Sequence, residues 1–383
     1  GGCAALLALL ARWRRRRADY PETSPLPSVT LLIAAYNEEA VIAAKLRNSL
    51  ALDYPRDRLQ ILVAADGSDD RTAEIVASFA DAGVEMSYRP TRSGKMAAII
   101  RAMSAARGEI VVFSDANNSY APDTLRRLVA PFADPAVGAV SGAKTIARGG
   151  DGLSQSEGLY WKYESFIKRQ ETRLGSCVGA AGEIFAIRRS LFEPPPASTI
   201  NDDFVMAMQI IRRGYRVVYV PDARSTEVVS PSAADEIARR ARMVAGRYQA
   251  LLMAPRLLPP RNPLIIWQVI SHKFLRPLVP LALLAALLAN LAAVLWPPAA
   301  GEMALLWLAP PYATIFAGLQ VGFYGLAWLG RRVAHKSFVG KLLYLPTFLV
   351  DSNLAAVIGL FRFLTGRQST LWRRAPRQET TVS

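Results

Sequence analysis

Carboxylates and cations, rather than histidines or cysteines, hold this chain's capacity for chemistry. Its 383 residues contain two histidines, His272 and His335, and two cysteines, Cys3 and Cys177. Two cysteines so far apart cannot make a disulfide framework or a four-cysteine zinc site, and two histidines supply little metal chemistry. Metal or acid–base work is left to carboxylates. Four polar stretches stand out: Tyr36-Asn37-Glu38-Glu39, Asp66-Gly67-Ser68-Asp69-Asp70, Arg92-Ser93-Gly94-Lys95 and Asp115-Ala116-Asn117. Each has a plainer use, since Asp-Gly is a common turn and Ser or Asp before a helix a common cap.

Their placement raises their weight. Short β-branched or apolar runs at 29–35, 59–65, 85–89 and 109–114 read as strands, and 38–50, 70–81 and 93–106 read as helices between them. Alternating strands and helices with short links predict an α/β domain with a mostly parallel sheet covered on both faces. Ligands of such sheets bind beyond the carboxyl ends of the strands, where all four stretches fall. No G-x-G-x-x-G follows the first strand, which argues against a dinucleotide oxidoreductase. Gly94-Lys95 lacks the upstream glycine and the hydroxyl residue of an ATP-hydrolysing P-loop.

Composition adds a second theme. The net charge is +15, yet 51% of residues are hydrophobic and 20% charged. A basic chain this apolar suggests a membrane with positive charge on its cytoplasmic side, and the arginines cluster at membrane flanks rather than among aromatics as nucleic-acid binding would require. Residues 1–17 read as the end of a transmembrane helix followed by a basic flank. The missing initiator Met predicts that the front of that helix lies before residue 1. The mixed aromatic and basic stretch 262–276 reads as a helix lying in the interface. The span 277–329 reads as a transmembrane hairpin, because 278–296 and 303–329 each approach the ~20 residues of a crossing and basic residues follow the second. Segment 338–374 is harder, with positive charge at both ends and Asp351 and Asn353 within its apolar run. It reads as re-entrant or as a plain span, followed by a basic tail.

Three further stretches complete the motif order. These are Gly175-Ser176-Cys177-Val178-Gly179-Ala180-Ala181-Gly182-Glu183, Asn201-Asp202-Asp203-Phe204 and Arg239-Arg240-Ala241-Arg242-Met243. With the four loops they resemble a membrane-embedded, inverting family-2 glycosyltransferase, of the group that includes cellulose, hyaluronan and poly-N-acetylglucosamine synthases. The likeness runs from Val29 to the C-terminal arginine-rich segment. It implies a GT-A nucleotide-sugar-binding domain over 28–255, on the cytoplasmic side of a bacterial inner membrane, with transmembrane and interfacial helices attached.

The resemblance also implies roles. Ala35, Tyr36, Glu38, Asp66, Lys95, Asp115 and Arg242 match donor-binding positions. Asp66 is the second acid of the usual Asp-Asp-Gly-Ser, and Ala65 replaces the first. Asp115-Ala116-Asn117 matches the D-x-D metal motif, with Asn for its last acid. Asp115 and the Asn117 amide oxygen would then share Mg²⁺ or Mn²⁺ with a diphosphate. Asp203 falls where the family's general base lies, supported by Asp202, although the pair also suits a helix N-terminus. Gly182, Glu183 and Met243 fall at the acceptor end. Met243 stands where the family has tryptophan, which puts long-chain processive synthesis in question. Gln368-Ser369-Thr370-Leu371-Trp372 resembles a segment near the substrate entrance.

The implied function is transfer of a sugar from a UDP-linked donor to a glycan acceptor in cell-surface polysaccharide synthesis. Single-sugar transfer to a lipid, of polyprenyl phosphate or ceramide type, is the alternative within the same chemistry. A non-catalytic basic membrane protein or nucleic-acid binder is the alternative of another class. Membrane lipids are expected partners, nucleic acid is not, and partner subunits or a homo-oligomer would complete a channel that few spans cannot.

Overall fold

A computed structural model describes residues 2–13, 16, 19–21, 24–146, 152–227, 233–296, 311–333 and 338–366. The segment at 368–372 and the rest of the basic tail, the hairpin link at 297–302 with 303–310, and the 334–336 part of the following basic link lie outside the described residues.

Among the described residues eight strands form one sheet: β1 Val29–Ala35, β2 Leu59–Asp66, β3 Val84–Arg89, β4 Ile110–Asp115, β5 Asn118–Tyr120, β6 Val137–Ile146, β7 Phe185–Arg188 and β8 Arg216–Glu227. Their order is β3-β2-β1-β4-β7-β6-β8-β5. The first four pair in parallel, as their unbroken apolar runs predict for strands covered on both faces. Every residue of β1 is buried. Ala35 pairs with Ala65 and Ala34 with Asp115, so the carboxyl ends of β1, β2 and β4 share one rim.

The other half of the sheet is mixed. β7 runs antiparallel to both β4 and β6, while β6 and β8 are parallel. The register between β6 and β8 jumps from Gly142↔Val220 to Ala143↔Arg224. This bulge bends β8 so that its end pairs antiparallel with β5, Asn118 opposite Glu227. Residues 110 apart in sequence thus meet beside the Asp115 rim.

Two apolar cores cover the faces. One packs Met96, Ile99, Phe204 and Ile210 on the sheet, the other Ile42, Leu46, Leu125 and Leu128.

Among the described residues three helical runs are long and apolar enough to cross a membrane: Pro263–Leu295, Tyr312–Gly330 and Leu345–Leu364. The first is 33 residues, longer than a crossing needs. It holds His272, Lys273 and Arg276 in a wider turn, Ile270–Phe274, and a tighter one, Arg276–Leu278. Its uncharged part, Val279–Leu295, rises about 25 Å, close to the hydrocarbon thickness. Asn290 and Gln320 meet across the first two runs at 3.0 Å, satisfying amides that lipid cannot.

The apolar run at 342–364 belongs to one helix, Phe338–Leu364. It packs along helix Ala233–Leu252, which carries Arg239 to Met243. Arg240 donates to Ser352 Oγ at 2.7 Å and lies 4.7 Å above the Phe348 ring. Asp351 accepts from Arg331 Nε at 3.1 Å, so the acid within the run has its counter-charge.

Candidate active site

The rim opens into a narrow slot of about 20 Å³, walled by Ala34, Ala35, Tyr36, Ala64 and Ala98 and ended by Asp66. Its walls are mostly small side chains. Asp66 Oδ2 accepts the backbone N–H groups of Ser93 (3.0 Å) and Gly94 (2.6 Å). Its Oδ1 is buried and has no hydrogen bond, with the Arg101 guanidinium 3.7 Å away. A buried acceptor without a donor is costly, and here it ends a slot. Arg92 stacks 3.8 Å over the Tyr36 ring at the mouth.

The slot leads through Lys95 into a larger cleft of about 250 Å³. Gly94, at φ 96°, turns the chain so that Lys95 opens helix Lys95–Met103. Lys95 Nζ donates to Asp115 Oδ1 at 2.6 Å. Burial alone would lower the Lys95 ammonium, but the Asp115 and Asp202 charges outweigh it and hold it above its usual value. Burial pushes the Asp115 carboxyl up, yet Lys95, Lys144 and Lys45 together hold it below the usual range. Lys45, buried behind the rim and 2.5 Å from Asn118 Oδ1, is pulled down by burial to about 7 against the pull of Asp115 and Glu183.

Asn117 has a partner that explains its identity. Its Nδ2 donates to Glu227 Oε1 at 2.6 Å. An aspartate there would set carboxylate against carboxylate. Glu227 also pairs with Lys144, whose Nζ lies 2.9 Å from Glu183 Oε2. Asn117 Oδ1 has no hydrogen bond among the described residues. Asp115 and Asn117 Oδ1 are hard oxygen donors suited to Mg²⁺ or Mn²⁺, and no group of three His, Cys, Asp or Glu converges among the described residues. By type these donors suit such a cation, with the rest of the shell left to a diphosphate.

Across the cleft, helix Asp202–Arg212 begins with the acidic pair. Asp203 Oδ1 accepts the Phe204 N–H at 2.8 Å, so the carboxylate also serves the helix terminus. Burial and the neighbouring Asp202 hold its carboxyl above the usual aspartate range. Gly182 lies against it, where a Cβ would come within 3.3 Å of the Asp203 Cβ. Asn201, just before the pair, donates to the Met243 carbonyl at 3.0 Å.

Gly246 makes that last contact possible. A Cβ there would lie 2.6 Å from Asn201 Oδ1. Gly246→Ala is expected to displace Asn201 and the acidic pair with it, costing about 1–3 kcal/mol of stability. Thermal unfolding and turnover measure it, and unchanged turnover would refute the positioning role.

Ala35, Tyr36, Asp66 and Lys95 line the slot. Lys95, Asp115, Gly182, Glu183, Asp202, Asp203, Arg242 and Met243 line the cleft. Glu38 and Asn117 line neither. Glu38 is buried, and its N–H donates to Thr72 Oγ1 at 2.7 Å, tying the first loop to the second. Glu183 is anchored, its carbonyl accepting from Asn118 Nδ2 (2.8 Å) and Tyr120 Oη (2.6 Å). Sequence reasoning missed Lys144 and Glu227, which pair with motif residues, and Glu164, Lys168, Arg247 and Lys273, which complete the cleft. Lys144 and Glu227 lie late in their strands, a signal the strand-end rule offers. The other four sit within helical turns and carry none.

A parallel half presenting Asp66, Lys95 and Asp115, joined to a mixed half presenting Asp202 and Asp203, defines a GT-A-like α/β fold. The solved mannosyltransferase PcManGT from Pyrobaculum calidifontis, in complex with GDP-Man and Mn²⁺, shares that fold over 96% of both chains, with TM-score 0.71 and 26% identity. Residues 27–246 match the family described as Glycosyltransferase like family 2, and the chain belongs to that family. An N-acetylglucosaminyltransferase of Rhizobium meliloti (strain 1021) is 27% identical over 70% of this chain and 67% of its own length. A beta-monoglucosyldiacylglycerol synthase of Synechocystis sp. (strain ATCC 27184 / PCC 6803 / Kazusa) is 27% identical over 60% of this chain and 50% of its own. The chain is thus an enzyme of nucleotide-sugar transfer, with helices able to cross a membrane.

Proposed function

We propose that this enzyme moves a sugar, with inversion, from a UDP-linked donor to an acceptor at the cytoplasmic face of a bacterial inner membrane. The observation carrying the reading is that Asp203 shares one cleft with Asp115, Lys95 and Arg242. The slot at Asp66 suits a nucleobase, whose N–H would satisfy the free Oδ1. Arg242 has no hydrogen bond among the described residues and can take a diphosphate oxygen pair bidentately. Asp203 takes the acceptor proton as the hydroxyl attacks the anomeric carbon. A divalent cation held by Asp115 and Asn117 would neutralise the leaving diphosphate. The Mn²⁺ in the Pyrobaculum structure supports that cofactor.

Between a glycan and a lipid acceptor, the cleft favours a lipid. Exposed Met243 replaces the ring that a sugar chain would stack on, and Lys273 reaches the cleft from the helical run that continues into a candidate span. The name of the Synechocystis relative points the same way.

The test is a donor screen in detergent with UDP-glucose, UDP-N-acetylglucosamine, UDP-galactose and GDP-mannose, with and without Mn²⁺. Release of nucleoside diphosphate from one UDP-sugar, dependent on Mn²⁺, is expected. Release from none would overturn the reading, and release from GDP-mannose alone would overturn the nucleotide.

A further inference from the structure

Beyond Asp203 the cleft changes character. Lys168, on helix Gly152–Leu174, and Lys273, in the Ile270–Phe274 turn, converge on Gly179. A Cβ at Gly179 would stand 3.0 Å from Lys273 Nζ and 3.4 Å from Lys168 Cε, so the glycine leaves both ammonium groups a common floor. Arg247 lines the same cleft and acts on Lys273. Neither Lys168 nor Arg247 has a hydrogen bond or ion pair among the described residues, although Lys168 is buried and its ammonium lies 5.3 Å from the Tyr219 ring centre.

One carboxylate beside Asp203 answers these cations. Glu164 lies 3.7 Å from Lys273 Nζ and 3.1 Å from Arg276 Nη1. Burial would raise the Glu164 carboxyl, but Lys273, Arg276 and Lys168 hold it far below the usual range. Glu164 is thus already shared. Lys168 is buried and Lys273 and Arg247 are half-buried, and cations so placed are costly unless anions answer them.

On the sugar-transfer reading the donor's diphosphate lies with Lys95 and Asp115, elsewhere in the same cleft. Lys95 is paired with Asp115 at 2.6 Å, with Asp202 also acting on it. The carboxylates acting on Lys168 are Glu164 and Asp203. Asp203 therefore stands between two cationic ends, one beside the metal motif and one beyond it. The far end adjoins apolar surface. Phe166 and Tyr163 on the Lys168 helix are exposed, as are Ile270 and Leu275 flanking Lys273. Glu164 and Lys168 also line a neighbouring cavity of about 690 Å³, which includes Phe166 and the further cations Lys162 and Arg169.

We propose that the acceptor is an anionic lipid whose phosphate joins the apolar chain to the hydroxyl-bearing group that is glycosylated, and that Lys168, Lys273 and Arg247 hold this phosphate. This rests on the sugar-transfer reading for the role of the site, but the anion site stands on its own geometry. The phosphate seats at Gly179, the hydroxyl reaches Asp203, and the chain leaves past Phe166 and Ile270. A glycerophospholipid with a polyol headgroup and a polyprenyl phosphate bearing a sugar share this chemistry.

Isothermal titration of the full chain in detergent tests it, with four probes: short-chain phosphatidylglycerol, farnesyl-phosphoglucose, short-chain diacylglycerol and inorganic phosphate. One of the two phosphate lipids is expected to bind at least about tenfold more tightly than diacylglycerol, as charge-assisted hydrogen bonds require. Which one binds identifies the source. Lys168→Gln and Arg247→Gln should each shrink that preference and Lys168→Arg should restore it, with UDP affinity unchanged. Equal binding of diacylglycerol, a preference that survives both glutamine variants, or phosphate ion binding as tightly as either lipid would overturn the proposal. Loss of UDP binding in the unaltered protein, with the lipid preference kept, would instead overturn the donor reading alone.

Discussion

Asp203→Asn is expected to lower the rate of sugar transfer about 10²–10⁴-fold, the span that positioned general bases contribute. Donor affinity should hold, because the proposed donor contacts, Asp66, Lys95 and Asp115, belong to the parallel half of the fold. Asparagine keeps the shape and can still accept the Phe204 N–H, so the fold should be retained. The unaltered enzyme carries a matching pH signature. A base must be ionised to act, and burial with Asp202 beside it holds the Asp203 carboxyl above the usual aspartate range. Turnover should therefore rise with pH through a limb displaced upward from an ordinary aspartate. Asp202→Asn removes the repulsion and should move that limb down. Single-turnover rates and equilibrium donor binding separate the effects. Turnover retained in Asp203→Asn would refute the base assignment, and a limb unmoved in Asp202→Asn would refute its cause.

The parallel half of the fold was legible because its strands announce themselves. β1 matches its apolar run at both ends, and β2 and β4 end on the acids that the strand-end rule singles out. The mixed half was not. β7 enters between β4 and β6 by pairing across long separations, and nothing in Phe-Ala-Ile-Arg names its neighbours. The same limit hid Glu227. Its partner Asn117 is 110 residues away, and only the β6–β8 bulge brings them together. Asn117 looked like a weakened motif because the charge opposite it was invisible. Lys168 and Lys273 were hidden differently, since a lysine in a helix reads as a solvated face until tertiary packing turns it inward. The apolar run at 342–364 kept its ambiguity for a related reason: the counter-charge of Asp351 comes from Arg331 on the preceding segment.

Asp115→Asn should separate donor binding from its metal dependence. In the unaltered protein, donor affinity is expected to rise with Mn²⁺, since Asp115 and Asn117 Oδ1 are oxygen donors that a diphosphate completes. Removing the Asp115 charge should weaken donor binding in Mn²⁺ at least about tenfold, 1.4 kcal/mol, and leave affinity without Mn²⁺ little changed. Lys95 loses its 2.6 Å partner, yet Asp202 still acts on it, so the half-buried ammonium is not stranded and the fold should persist. Thermal unfolding checks that condition before binding is interpreted. Asn117→Asp makes the sharper contrast. It supplies the acid that the motif lacks, and a simple count of ligand charge predicts tighter metal binding. The geometry predicts the reverse, because the new carboxylate would face Glu227 where an amide now donates at 2.6 Å. Asn117→Asp together with Glu227→Gln should relieve that clash, with Gln donating what Asn gave. Titration of Mn²⁺ in the presence of UDP reads all three variants without turnover. Tighter Mn²⁺ binding in Asn117→Asp alone would show that Glu227 does not dictate the residue at 117. Unchanged metal dependence in Asp115→Asn would place the ion elsewhere.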